Sequence, residues 1–254
     1  MSLKNKHFVI FLTICALHAC KRPEPTLNTI SGKQLEINQS IPPKDSIEQF
    51  IAPYRNRIDE VLDSVLAYAP ETLTKMEGKH NTNAGNLMAD IVMQEVGPIF
   101  TSRTGKNIDF VLLNFGGIRS IISKGHVTAR NAYEVMPFEN SVFVAELDGK
   151  TVQELVEFLV KSSVPHPIAG IQIAVDKNNL LKKVSIQGKP IDEGRTYFVA
   201  TSDYLVNGGD RMDFFKNRLS LVNTDYMLRK VMIDYFMKVD TVKATIDDRF
   251  IQIN

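Results

Sequence analysis

The chain has 254 residues, 44% hydrophobic and 23% charged, a composition that can bury one sizeable core. Lysine and arginine number 30 against 29 acids, so nothing in the charge balance favours a nucleic-acid partner, and none is expected. No period of roughly 20 to 50 residues recurs, which excludes a solenoid.

Residues 1–19 read as a leader. Lys4 and Lys6 precede an apolar run, FVIFLTICAL, at residues 8–17. Ten residues span only about half of a bilayer core as a helix, which fits the h-region of a signal peptide better than a membrane span. The LHAC that follows, residues 17–20, resembles a bacterial lipobox, with an aliphatic residue three before a cysteine and a small residue directly before it. That likeness implies cleavage that leaves Cys20 as a lipid-bearing first residue, anchoring the protein in the bacterial cell envelope, periplasmic or surface-exposed. An ordinary secreted protein with an incidental cysteine is the alternative. Cys15 leaves with the leader, so an acylated Cys20 leaves no thiol for a disulfide, a metal or a nucleophile.

Residues 20–46 are polar, hold four prolines and read as a tether, with a short strand at KQLEIN, residues 33–38. Residues 47–254 are expected to form one domain. From Ile47 to Leu66 the spacing of Ile47, Phe50, Ile51, Ile58, Val61, Leu62, Val65 and Leu66 predicts an amphipathic helix broken near Pro53. A second helix is expected over residues 84–96, with Leu87, Met88, Ile91, Val92 and Val96 inward. NIDFVLL, residues 107–113, then reads as a buried strand.

Thr128 is placed to cap a short helix, ARNAYEV. SVFVAELD follows as a strand ending in an Asp-Gly turn, and TVQELVEFLVKSS as a well-patterned helix from Thr151. GIQIAVD, LLKKVSIQG and TYFVATS are strands in succession. A last helix is expected over residues 225–238, before a terminal strand over 247–254. Interspersed helices with runs of consecutive strands define an α+β class, a mixed β-sheet with packed helices.

Catalytic machinery is sparse. Histidines stand at 7, 18, 80, 126 and 166, and none forms an HxH, HExxH or DxH pattern. GxSxG and GxxxxGK[ST] are absent. No catalytic residue, metal ligand or cofactor site is assigned to this chain.

Groups suited to binding are more plentiful. In NFGGIRS, Gly116 and Gly117 let the backbone approach a ligand, Asn114 offers donor and acceptor, and Arg119 presents a fork of donors for phosphate or carboxylate oxygens. A tight turn followed by a surface cation would look the same. Asn83, Gly85 and Asn86 open the second helix, whose free N–H groups favour an anion, although plain capping by Asn83 serves equally well. Phe138 precedes a strand, where an isolated phenylalanine is more often core than contact, and Tyr204 invites the same dismissal. NGGD, residues 207–210, suits a turn.

Four blocks in one order carry a resemblance: HNTNAGNLMADIV (80–92), NFGGIRS (114–120), MPFENSVFVAELDGK (136–150) and TYFVATSDYLVNGGDRMDFF (196–215). They resemble the C-terminal, substrate-binding domain of the 5'-nucleotidase and UDP-sugar hydrolase family, whose blocks read N-x-G-N-L, N-G-G-G-I-R, P-F-x-N/G and F-L-x-x-G-G-D-G. The likeness covers most of residues 50–254. It implies that Phe138 and Tyr204 sandwich a nucleobase, that Asp210 accepts from ribose hydroxyls, and that Asn207 assists near the base. His80, Asn83, Asn114, Gly116, Gly117 and Arg119 would face the polar side of the ligand.

Family enzymes carry a calcineurin-like metallophosphoesterase domain whose two metals activate water. The resemblance therefore implies a nucleotide- or nucleoside-binding half, inactive alone, with the divalent metals held by a separate metallophosphoesterase chain. A surface nucleoside binder and a drifted interaction module are the alternatives. Three positions depart from the family: His80 stands for arginine, Phe115 for the first glycine of the GGG run, and Arg211 for the glycine after the aspartate. Tyrosine for phenylalanine at 204 reads as mild, since the ring still stacks.

Overall fold

The computed structural model describes residues 7–11, 13, 27–162 and 164–253. Cys20, most of the leader and residues 21–26 lie outside the described residues. Among the described residues no helix is long and apolar enough to cross a membrane. The chain divides into two compact units, Met1–Phe50 and Ile51–Asn254. In the first, residues 33–38 are exposed and form no strand, contrary to expectation, because no neighbouring segment pairs with their backbone groups.

In chain order the elements begin with α1 (Asp45–Leu62), β1 (Val65–Ala69), α2 (Asn83–Thr104), β2 (Phe110–Leu112), β3 (Gly125–Thr128) and α3 (Ala129–Val135). There follow β4 (Ser141–Asp148), α4 (Gly149–Ser162), β5 (Ile168–Ala169), β6 (Ile171–Val175), β7 (Leu181–Ile186) and β8 (Thr196–Ser202). The chain ends with α5 (Asp203–Val206), β9 (Ser220–Met227), α6 (Leu228–Phe236) and β10 (Phe250–Gln252). The strands form three sheets, not one: β1-β3, the mixed β10-β6-β7, and a mixed five-stranded sheet of order β5-β2-β8-β4-β9. The class is α+β.

The five-stranded sheet is buried on both faces, and the period of two assigns the residues. Phe110, Leu112, Ala145, Leu147, Tyr197 and Val199 pack with Val152, Leu155, Val156 and Leu159 of α4. Val111, Leu113, Val142, Val144 and Ala200 join α2 and α6 in the other core, where Leu87, Met88, Ile91, Val92 and Val96 are buried as their spacing predicts.

Several boundaries move. Helix α1 stops at Leu62, and Val65 and Leu66 instead enter β1, which pairs antiparallel with β3. Pro53 sits inside α1 without breaking it, and no residue of α1 is buried. Its apolar spacing therefore marks no core face, since α2, α6 and α4 already cover the sheet. Its C-terminal turn is held by charge, Arg130 pairing with Asp59 at 2.7 Å and Asp63 at 2.5 Å.

Helix α2 runs through Gly97-Pro98 to Thr104, two turns beyond expectation, because Phe100 anchors that end in the core. Gly105, left-handed at φ 70°, closes it. The Asp-Gly pair is no turn either: Asp148 accepts the Thr151 N–H at 2.7 Å as a cap, and Gly149 opens α4. A side chain on Gly149 would meet the Asp192 carbonyl at 2.4 Å. Residues 225–227, expected in the last helix, belong to β9, which pairs with β4.

A buried amide clasp ties the start of α2 to the C-terminal segment. Asn86 donates to Asn81 Oδ1 (2.7 Å) and the Thr245 carbonyl (2.8 Å). Asn81 donates to the carbonyls of Asp247 (3.0 Å) and Phe250 (3.1 Å) and accepts from the Asp247 N–H (3.2 Å). Each buried acceptor left without a donor costs about 1–3 kcal/mol, so Asn86→Ala should lower the unfolding free energy by about that amount. Urea denaturation measures it, and an unchanged midpoint would contradict the clasp.

Candidate functional site

Strands β2 and β8 run parallel, with Val111 opposite Ala200, and β4 runs antiparallel to β8, with Val142 opposite Ser202. The segment leaving β2, the segment leaving β8 and the segment entering β4 therefore emerge at one sheet edge. They enclose an open cleft of about 510 Å³, lined by Asn114, Gly116, Gly117, Arg119, Phe138, Glu139, Asn140, Tyr204 and Asp210. Seven of the residues singled out from the sequence meet here.

The first wall is the single 3-10 turn Phe115–Gly117. Both backbone polar groups of Phe115 are occupied, its N–H by His166 Nδ1 (3.2 Å) and its carbonyl by Lys75 Nζ (3.3 Å). A side chain on Gly117 would come within 3.0 Å of Asn114 Oδ1, so glycine lets the amide lie against the turn. Among the described residues the Asn114 side chain has no hydrogen-bond partner, which leaves it available to a ligand. Arg119 donates to the Gly116 carbonyl at 3.3 Å, and its guanidinium carbon lies 5.7 Å from the centre of the Phe138 ring. Burial, then the charge of Arg119, pulls the Lys75 ammonium below its usual range. Two cations thus flank one turn, a combination that an anion would relieve.

The second wall is residues 203–211. Tyr204 Oη donates to Asp210 Oδ1 at 2.8 Å and accepts the Asp210 N–H at 3.2 Å. The ring lies so close over Gly209 that a Cβ there would sit 2.5 Å from a ring carbon. The tyrosine hydroxyl is accordingly not a mild change: it orients the Asp210 carboxylate, and among the described residues no hydrogen bond occupies the other oxygen, Oδ2. The Asp210 hydrogen bond and charge raise the Tyr204 phenol above the ordinary tyrosine range. Asp210 and Arg211 both have left-handed backbones, φ 51° and 63°, a conformation costing a non-glycine residue roughly 1–2 kcal/mol. Arg211 lines a neighbouring cleft of about 450 Å³ with His166 and Phe158, which shares Gly116 and Asp210 with the first. Burial holds the His166 imidazole below its usual pKa, against the opposing influence of Asp210.

Phe138 is 41% exposed and Tyr204 44% exposed, so neither ring is spent on the core. Two large aromatic faces open to one cleft are hydrophobic surface retained in water.

Three predicted contact residues are not brought to this cleft. Asn83 is buried, accepting the Thr74 N–H at 2.7 Å and donating to the Thr72 carbonyl at 3.2 Å. It is not the cap either, since Thr82 accepts the Gly85 N–H at 3.0 Å. His80 stacks on Phe250 with ring centroids 4.8 Å apart. Its Nε2 is buried without a partner, and burial, then Lys79, lowers its pKa, so it offers no cation to a ligand. The Asn207 amide donates to the Asp203 carbonyl at 2.8 Å and lines an adjoining cleft that shares Asn140 and Tyr204 with the first.

Glu139 and Asn140, which line the cleft, and Lys75 and His166 beside it are the site neighbours that sequence reasoning missed. Asn140 ends the PFEN block and is legible there; it donates to Asp203 Oδ1 at 2.6 Å, bridging two of the cleft's loops. Lys75 and His166 lie in no patterned stretch, and only the fold brings them near.

Fold and cleft together define an α+β domain with an open, aromatic-lined cleft at one sheet edge. Residues 65–217 match the family described as 5'-nucleotidase, C-terminal domain, and the chain belongs to it. Over 208 residues it is 27% identical to protein UshA of Escherichia coli (strain K12), covering 77% of this chain and 35% of that protein. It is 27% identical over 221 residues to the 5'-nucleotidase of Vibrio vulnificus (strain CMCP6), covering 82% of this chain and 37% of that one. The structure resembles the 5'-nucleotidase precursor from Thermus thermophilus with a TM-score of 0.68 at 25% identity, over 84% of this chain and 44% of that one. The chain spans well under half the length of these relatives.

The geometry predicts that Tyr204 ionises above the ordinary tyrosine range, because Asp210 holds its proton and repels the phenolate. In Asp210→Asn the midpoint should fall towards that range. Alkaline ultraviolet titration, with Tyr204→Phe subtracted to isolate the group, checks this; an unchanged midpoint would contradict the pairing.

Proposed function

We propose that this chain is the nucleotide- or nucleoside-binding part of a 5'-nucleotidase-type phosphohydrolase. The observation that carries the reading is the pair of exposed rings, Phe138 and Tyr204, lining one cleft with an unpartnered amide and an oriented carboxylate. A planar base suits two aromatic faces, each contributing about 1–3 kcal/mol to a stacked base. Asp210 Oδ2 would accept from ribose hydroxyls, and Asn114 would donate to or accept from the base or sugar. Arg119 and Lys75 would attract the phosphate.

Hydrolysis is assigned to a separate metallophosphoesterase chain, whose two divalent metals would activate the attacking water. Among the described residues, no group of three or more histidine, cysteine, aspartate or glutamate side chains could hold a metal ion. The role of this chain is to hold the base and ribose so that the phosphate faces that partner. Lipidation at Cys20 would keep it in the cell envelope through the anchor alone.

Calorimetric titration with adenosine and AMP tests the reading. Binding is expected, and Phe138→Ala or Tyr204→Ala should each weaken it by about 1–3 kcal/mol. No binding at millimolar ligand, or affinity indifferent to both substitutions, would overturn it. For catalysis in trans, the chain with Mn²⁺ or Zn²⁺ should release no phosphate from AMP until a metallophosphoesterase chain encoded beside it is added. Release by this chain alone would contradict the division of labour.

A further inference from the structure

The loop that carries Phe138, residues 136–140, links α3 to β4; Met136 is buried in the core and Asn140 is bonded to Asp203, but residues 137–139 between them are exposed and have little of their own to hold them. Pro137 has no N–H to donate, and the Phe138 ring is too exposed for packing to fix it. The restraint comes from a distant element. Arg229, in the first turn of α6, directs Nη1 to the Phe138 carbonyl at 3.2 Å and the Met136 carbonyl at 3.4 Å. Its Nη2 lies 3.9 Å from the Glu139 carboxylate, and its guanidinium carbon 4.2 Å from the centre of the Tyr133 ring. One residue earlier, the Leu228 N–H donates to the Asn140 carbonyl at 2.9 Å.

The Arg229 side chain is only 12% exposed, whereas Glu139 is 81% exposed and too far for a close ion pair. A guanidinium never deprotonates in a protein, and a buried cation needs partners to replace water. Here those partners are two loop carbonyls and the face of Tyr133. Moving the loop would strip the cation of both carbonyls, so loop and cation hold each other in place. A lysine is not equivalent: its ammonium could reach the two carbonyls that Nη1 serves, but it has no flat guanidinium face to lie on the Tyr133 ring and no second nitrogen to extend towards Glu139.

We infer that Arg229 is a positioning residue that holds Phe138 at the cleft and thereby sets the stacking surface offered to the ligand's base. The inference rests on the base-binding reading above.

A double-mutant cycle with adenosine as the ligand tests it. Phe138→Ala should weaken binding roughly five- to 150-fold, and Arg229→Ala should weaken it at least about fivefold. The double variant should bind no worse than Phe138→Ala alone, because once the ring is gone its placement no longer matters. A merely structural role would make the two losses add. Arg229→Lys keeps the charge and the stem in case the alanine variant does not fold, and should still lose about threefold or more. Independently of ligand, hydrogen exchange of the Leu228 amide, whose N–H donates to the Asn140 carbonyl of the loop, should speed up in Arg229→Lys while that of β2, β4 and β8 stays unchanged.

If Phe138→Ala weakens binding but both Arg229 variants bind adenosine like the wild type, the inference is overturned and the base-binding reading survives. Additive losses, or unchanged exchange at Leu228, would also overturn it. If Phe138→Ala itself binds like the wild type, the inference is overturned; if Tyr204→Ala does so as well, the base-binding reading fails with it.

Discussion

The register of three neighbouring strands is the constraint on which the cleft depends. With β2 parallel to β8 and β4 antiparallel to it, the ends of β2 and β8 and the start of β4 must share one edge. Residues 114–119, 203–210 and 136–140 then meet although about ninety positions separate the first from the last of them. Side chains alternate along a strand, so a slip of one residue would send Phe110 and Leu112 to the wrong core and the loops out of alignment together. Both cores enforce that register, which makes the hydrophobic packing the source of the site's geometry.

Polar groups divide between holding the chain and facing solvent. Asn81, Asn83 and Asn86 are buried and committed to backbone partners: Asn81 and Asn86 close the C-terminal segment onto α2, and Asn83 fixes the loop at 72–74. Asn114 is the same residue type in a different setting, half-buried beside two glycines at the cleft, its amide uncommitted among the described residues. At the opposite wall, Tyr204, Gly209 and Asp210 form one unit: the missing side chain at 209 admits the ring, and the ring's hydroxyl aims the carboxylate.

Much of this was legible in the sequence. The inward face of α2 follows from the helical period, the patterned helix α4 from its spacing, the burial of β2 from its apolar run, and the α+β class from the order of elements. What eluded sequence reasoning was non-local. Residues 47–66 have helical spacing throughout, yet β1 forms at their end because residues 125–128, far along the chain, offer a pairing edge. Gly97-Pro98 signals a helix end locally, but the burial of Phe100 carries α2 past it. Asn83 and His80 belong to a recognisable block, and block membership does not say where an amide or a ring points. Asn83 turns to the loop at 72–74 and His80 to Phe250, neither of which sequence spacing reveals.

The stacking of a base between Phe138 and Tyr204 can be observed directly by NMR, with the phenylalanine and tyrosine rings isotopically labelled and adenosine titrated in. Ring currents from a sandwiched base should move the Phe138 and Tyr204 signals upfield, saturably and together, while buried rings such as Phe110 and Phe215 stay fixed. Saturable shifts confined to other aromatic residues, or none at millimolar adenosine, would contradict a base-binding cleft.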